Sequence, residues 1–259
     1  MEILVCIKEV PDDSVEIKLN ADTEKADLKD VTPVVNAFDT YALEMATRLK
    51  ESCDGSSVTV VSIGNEGVKN SLKNCLAVGA DEAFLVNEDN VEEYDSLKIA
   101  RKLAEAVKKI EEKREKKFDI IFCGKETTDY SASQVPSMLA DELGQSIITN
   151  IIDLKNEENK IEVKQELDEG FRVYEGSMPI VVSVNKPNYD PRYPTIKSKM
   201  KARKIPINDI SVDYDMDNLI KVIKVYEPAK RQAGIKINEE TVEETVARAM
   251  EIMTEAKIF

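Results

Sequence analysis

Apolar and polar positions follow two different rhythms along the first half of the chain. Four short runs are almost wholly apolar: Ile3-Leu4-Val5-Cys6-Ile7, Val58-Thr59-Val60-Val61-Ser62-Ile63, Ala83-Phe84-Leu85-Val86 and Ile120-Ile121-Phe122-Cys123. Runs without an alternating polar face predict strands covered on both sides. Between them the apolar residues adopt helical spacing. Within Asp39–Lys50 these are Tyr41, Leu43, Met45, Ala46 and Leu49, with Asp39 placed to cap the helix through its carboxylate. Val68, Leu72, Cys75, Leu76 and Val78 repeat the stripe, and Gly79 stops it. Leu97, Ile99, Ala100, Leu103, Ala106, Val107 and Ile110 form a third stripe, and the charge run Glu111–Lys117 reads as its solvated end.

Alternating strands and helices predict an α/β fold: a doubly wound, mainly parallel sheet with helices on both faces. Ligands in such sheets lie beyond the carboxyl ends of the strands, near the point where strand order reverses. That rule singles out the loops after Ile7, Ile63 and Cys123. After Leu143 the rhythm changes. Ile147–Leu154, Lys160–Glu166, Phe171–Glu175 and Ile180–Val184 are expected to extend the sheet by antiparallel pairing. Pro187, Pro191 and Pro194 then mark an irregular stretch, followed by the basic run Ile196–Lys204. Residues 206–237 show little periodicity, and a helix over Glu239–Ala256 carries Val242, Val246, Met250 and Met253 along one face. The pattern divides the chain into a nucleotide-binding α/β domain at 1–205 and a C-terminal arm at 206–259.

Composition narrows the chemistry. The 259 residues include 36 basic and 50 acidic side chains, for a net charge of −14, which disfavours nucleic acid and anionic lipid. There is no histidine, so triads built on His and imidazole metal sites are excluded. With nine glycines, and only Gly64 and Gly67 close together, neither G-x-G-x-x-G nor a Walker A loop can be written. The four cysteines form no C-x-x-C pair, and Cys6 and Cys123 read as small core residues of a reduced protein. No uncharged run approaches the ~20 residues needed to cross a bilayer. The opening residues read as a strand rather than a signal peptide. A cytoplasmic protein without membrane insertion is expected, working by binding or by chemistry borne on a cofactor.

The loop Gly124-Lys125-Glu126-Thr127-Thr128-Asp129-Tyr130-Ser131-Ala132-Ser133-Gln134-Val135 suits a phosphate-bearing ligand. It leaves the carboxyl end of a buried strand, carries a row of hydroxyls and runs into a helix N-terminus, whose free N–H groups attract anions. Gly124 reads as room for close backbone approach to a ligand. An ordinary strand–helix loop capped by Ser131 or Ser133 fits the same pattern.

Five stretches in register resemble the β subunit of electron-transfer flavoprotein. They are Ile3–Lys8, Val35–Glu44 (Val-Asn-Ala-Phe-Asp-Thr-Tyr-Ala-Leu-Glu), Leu76–Ala83, the Gly124–Val135 loop, and Lys199–Lys204. The resemblance implies an adenine-nucleotide α-hydrolase-like fold in a heterodimer with an α subunit. It places the nucleotide against Cys6, Asn36, Ala37, Phe38, Asp39, Ile63 and the loop residues Gly124, Lys125, Glu126, Thr127, Thr128, Asp129, Ser131, Ser133, Gln134 and Val135. Asn36 and Asp39 would meet the adenine or ribose, and the hydroxyl loop the phosphates. Redox chemistry would belong to the flavin and need no catalytic side chain. In one version of the family the β site holds AMP as a structural filler. In the other, typical of anaerobes, it holds FAD that takes hydride from NADH and bifurcates the electron pair. The Lys199–Lys204 wording is similar to the second version, which favours FAD. The loop departs from the usual Asp-Gly-Asp-Thr-Ala-Gln-Val-Gly by reading Asp129-Tyr130-Ser131-Ala132-Ser133-Gln134-Val135-Pro136. The resemblance also implies docking to an acyl-CoA dehydrogenase through Tyr193–Lys204, with Ile196 as apolar anchor and Lys199 and Lys201 steering. A universal-stress-type ATP/AMP sensor shares the layout but carries a glycine-rich phosphate loop. An ATP pyrophosphatase would need Ser-Gly-Gly where this chain reads Lys8-Glu9-Val10-Pro11.

Overall fold

Burial on both faces is what turns the apolar runs into strands. The computed structural model describes every residue except 21, 22, 24, 158, 159, 215, 228, 230–232 and 259. β1 (Glu2–Cys6) leads to a small antiparallel pair, β2 (Glu9–Pro11) with β3 (Pro33–Val35). There follow α1 (Ala37–Ser52), β4 (Ser57–Gly64), α2 (Lys69–Val78), β5 (Glu82–Asn87), α3 (Ser96–Arg114), β6 (Ile120–Gly124) and α4 (Val135–Leu143). β7 (Ser146–Glu157), β8 (Lys160–Leu167), β9 (Gly170–Ser177), β10 (Ile180–Val184), α5 (Ile196–Lys204), β11 (Asn208–Ile210) and α6 (Val242–Glu255) complete the chain. The main sheet runs β11-β5-β4-β1-β6-β10-β7-β8-β9, parallel from β11 through β7. From β1 the chain adds β4 and β5 on one side, then returns to lay β6 on the other. Strand order therefore reverses between β1 and β6, and their carboxyl ends flank the crevice where such sheets bind ligands.

The two-residue period of β1 splits the core. Ile3 and Val5 pack with α1 and α2 on one face, while Leu4 and Cys6 pack with α3 and α4 on the other. Ile3, Leu4 and Val5 are each fully buried, worth roughly 1.5–3 kcal/mol apiece. α2 stops at Gly79, whose φ is 156°; a Cβ there would also lie 2.3 Å from Thr47 Oγ1. No helix among the described residues is long and apolar enough to cross a membrane.

Four expectations change. Ile180–Val184 does not extend the sheet antiparallel: β10 inserts between β6 and β7, parallel to both, because all five of its residues are buried and demand cover on each side. β7, β8 and β9 do pair antiparallel. The charge run after Ile110 is not simply solvated. Glu111 is buried and accepts the Phe118 N–H at 2.9 Å, while Arg114 pairs with Glu2 (2.6 Å) and Glu82 (3.0 Å). The basic run Ile196–Lys204 is helical, started by a Thr195–Ser198 capping box and seated through buried Ala202. Lys73 Nζ donates to the carbonyls of Ala202, Arg203 and Ile205 at its end.

The fourth change concerns the domain boundary. β11 pairs with β5, Val212 is buried, and the Leu219 and Ile220 N–H groups donate to Asp95 Oδ2. The first compact unit therefore runs Met1–Lys224, with β11 filling the free edge of β5, and the boundary falls after Lys224 rather than after Ile205. The second unit, Val225–Phe259, contains α6, opened by a Thr241–Glu244 capping box. Val242, Val246, Met250 and Met253 are all exposed on it. Positions 215, 228, 230–232 and 259 of the expected arm lie outside the described residues.

Candidate nucleotide site

The crevice is framed by side chains that bond to backbone from three different segments. Asp39 lies inside the first turn of α1 and does not cap it; the N-cap position is Asn36, without a side-chain cap bond. Instead the Lys8 N–H donates to Asp39 Oδ2 (2.7 Å) and the Gly124 N–H to Oδ1 (3.1 Å). One carboxylate therefore ties together the chain after β1 and the end of β6. Asn36 does the same one step outward. Its Nδ2 donates to the Glu126 carbonyl (2.8 Å), its Oδ1 accepts the Thr128 N–H (3.2 Å), and its own N–H donates to the Lys8 carbonyl (3.0 Å). Asn36 and Asp39 are 0% and 4% exposed, so their polar atoms build the frame of the crevice.

Burial pushes the Asp39 carboxyl up to about 7, against the opposing hydrogen bonds from Lys8, Asn36 and Gly124. Gly124 is needed under α1: a Cβ there would stand 2.3 Å from Asp39 Oδ1 and 2.8 Å from the Phe38 Cβ. The glycine thus answers to helix packing, where the sequence suggested ligand approach. Cys6 and Cys123 lie side by side on one face of the sheet, both buried. The neighbouring Cys6 thiol and burial hold the Cys123 thiol well above its ordinary range, so Cys123 stays a thiol at neutral pH.

Beyond this frame the loop opens to solvent. Lys125, Glu126, Thr127 and Thr128 are half-buried, while Tyr130, Ser131, Ala132, Ser133 and Gln134 are exposed. Lys8 Nζ pairs with Asp129 at 2.6 Å and lies 5.2 Å from the Tyr130 ring centre, strapping the loop across the end of β1. The Ser133 hydroxyl donates to Glu126 Oε2 (2.8 Å). Two acidic groups are thereby engaged inside the loop. Ser131 and Ser133 have positive φ, 47° and 53°. Among the described residues, no hydrogen bond takes up the backbone N–H groups of Ala132, Ser133 or Gln134. They stand immediately before α4, where the first-turn N–H groups of Val135 and Ser137 also lack intrahelical partners and Pro136 has no N–H to offer. Free donors in tandem at a helix N-terminus form an anion cradle.

The remaining sequence-selected residues fall in two places. Ala37, exposed, and Phe38 and Ile63, half-buried, lie at the start of α1 and the end of β4; Val135 opens α4. Ile196, Lys199 and Lys201 lie on α5 and are exposed, Ile196 by 82%. Tyr193, three residues before Ile196, and Met200, one helical turn after it, are exposed as well. Lys8 was missed as a site residue. The signal available was its place directly after the first buried run, at the carboxyl end of β1.

The electron transfer flavoprotein domain model matches residues 28–215, which contain α1, the loop and α5. The chain is 36% identical to the electron transfer flavoprotein subunit beta of Megasphaera elsdenii, with both chains covered in full. Likewise at full coverage of both, it is 30% identical to the caffeyl-CoA reductase-Etf complex subunit CarD of Acetobacterium woodii. Identity to the electron transfer flavoprotein subunit beta of Bacillus subtilis is 29%, again over both whole chains.

Proposed function

The chain belongs to the electron transfer flavoprotein family, and from that premise we propose that it is the β subunit of an αβ heterodimer with FAD in the β1–β6 crevice. In this reading electrons enter from NADH and leave to an acyl-CoA dehydrogenase-type flavoenzyme. The observation that carries the cofactor assignment is the row of unbonded N–H groups at residues 132–134, set before α4 at the topological switch point. A phosphate group would accept from those donors, with Lys8, already paired with Asp129, holding the loop in place beside it. Asn36 and Asp39 keep the loop in register through Lys8, Gly124, Glu126 and Thr128. Ala37, Phe38 and Ile63, at the start of α1 and the end of β4, would receive an adenine ring, above the buried Cys6 and Cys123. A bound flavin supplies hydride acceptance and single-electron delivery. The chain contributes binding, orientation and exclusion of water, which agrees with its lack of histidine.

In the same reading the exposed apolar side chains of α6 rest on the α subunit, and α5 docks the dehydrogenase through Ile196, with Lys199 and Lys201 steering. Exposed charge pairs are each worth ~0–1 kcal/mol, whereas a buried anchor costs ~2 kcal/mol or more when truncated, so Ile196 dominates affinity. The test is to purify the heterodimer, denature it in acid, identify the released nucleotides and count flavins per αβ pair. Two flavins without AMP support the assignment. One flavin with AMP overturns FAD in this site and makes the subunit a structural partner.

A further inference from the structure

Upstream of α5 the chain has three prolines, Pro187, Pro191 and Pro194, and lies outside the regular elements. Two arginines hold it against α1, and Arg192 makes the larger set of bonds. Arg192 Nε donates to Glu44 Oε2 (2.8 Å) and Nη2 to Glu44 Oε1 (3.2 Å). Nη1 donates to Glu51 Oε1 (2.6 Å) and Nη2 to Glu51 Oε2 (3.0 Å). The Arg192 N–H adds a fifth bond, to Glu44 Oε2 at 3.1 Å. Glu44 and Glu51 are two turns apart on α1 and so share a face. Glu44 is buried, and its other neighbour, Arg48, donates to it at 2.7 Å while stacking 3.8 Å from the Tyr189 ring centre. Tyr189 and Arg192 are thus both pinned to α1, the helix whose first turn holds the crevice through Asp39.

We propose that Arg192 is a positioning residue for electron delivery: its double-carboxylate clasp fixes the segment that presents Ile196, and so sets the docking face relative to the nucleotide crevice. The inference rests on the docking role given to α5 above. Ile196 follows Arg192 by four residues, and the Thr195 capping box between them starts α5 in a set direction. The far end of α5 is held independently by Ala202 and Lys73. Freeing Arg192 therefore loosens the anchor without releasing the helix. A fork gripping two carboxylates is geometry that a lysine cannot copy, because an ammonium is a point charge.

The experiment follows NADH oxidation by the heterodimer, with an oxidised acyl-CoA dehydrogenase and its enoyl-CoA substrate as the electron acceptor. Arg192→Ala should raise the apparent KM for the dehydrogenase about tenfold, with kcat at saturating dehydrogenase and nucleotide content unchanged; Arg192→Lys should recover only part of the loss. Hydrogen exchange should rise at residues 186–198 and stay unchanged at 124–135. The double variant with Ile196→Ala should be no worse than Ile196→Ala alone, since Arg192 acts through that anchor. Faster exchange at 186–198 with a wild-type KM would overturn the positioning role, as would losses that multiply in the double variant. Wild-type kinetics for Ile196→Ala alone would instead remove the docking reading.

Discussion

Replacing Asp39 by Asn tests the frame of the crevice at its centre. The two carboxylate oxygens accept the Lys8 and Gly124 N–H groups, and the residue is 4% exposed. An asparagine of the same shape keeps one acceptor and sets its amide hydrogens against the other N–H. Leaving one buried donor unsatisfied costs about 1–3 kcal/mol. The charge adds a pH signature. Burial raises the folded carboxyl from 3.8 to about 7, so between those values the folded state binds more protons than the unfolded one. Stability therefore falls as pH rises through that window and levels off above 7. Three units correspond to at most about 4 kcal/mol. Urea midpoints of the heterodimer at fixed concentration, measured from pH 5 to 8, should decline for wild type. For Asp39→Asn they should be nearly flat and, at pH 5, lower than wild type, with more nucleotide lost on dialysis. Equal pH slopes in the two proteins would refute a buried, proton-holding carboxyl.

Gly124→Ala should disturb α1 against β6 and cost about 1–3 kcal/mol by overpacking, read as a lower unfolding midpoint, because its Cβ meets Asp39 and Phe38. Ile196→Ala should slow electron transfer to an acyl-CoA dehydrogenase about tenfold at subsaturating partner, whereas Lys199→Ala and Lys201→Ala should mainly flatten the salt dependence of association. Truncation after Lys224, which keeps β11 and the 206–224 segment in place, should abolish co-purification with the α subunit while leaving a folded first unit by circular dichroism.

The strands β1, β4, β5 and β6 were legible because burial on two faces leaves an apolar run, and the helices because each shows one apolar stripe. Pairing direction was not: Ile180–Val184 reads alike whether its neighbours run parallel or antiparallel, and long-range register decided it. α5 was hidden because Ala202 is its one buried residue, so no stripe marks the helix. β11 is three residues long, too short for a period to show. The pattern singled out the loop after β6 and the resemblance the start of α1, but the bonds that tie the two together were not legible. Asp39 and Asn36 bond to backbone N–H and carbonyl groups from distant segments, and backbone partners leave no residue type to recognise.

The nucleotide content of the intact heterodimer decides between a redox-active and a structural β site. Acid release followed by chromatography, with flavin absorbance normalised to αβ pairs, should give two FAD per heterodimer and no AMP, and Asp39→Asn should lose flavin from one site only. One FAD and one AMP per pair would contradict the FAD assignment, and no nucleotide beyond the α subunit's flavin would contradict the crevice as a nucleotide site.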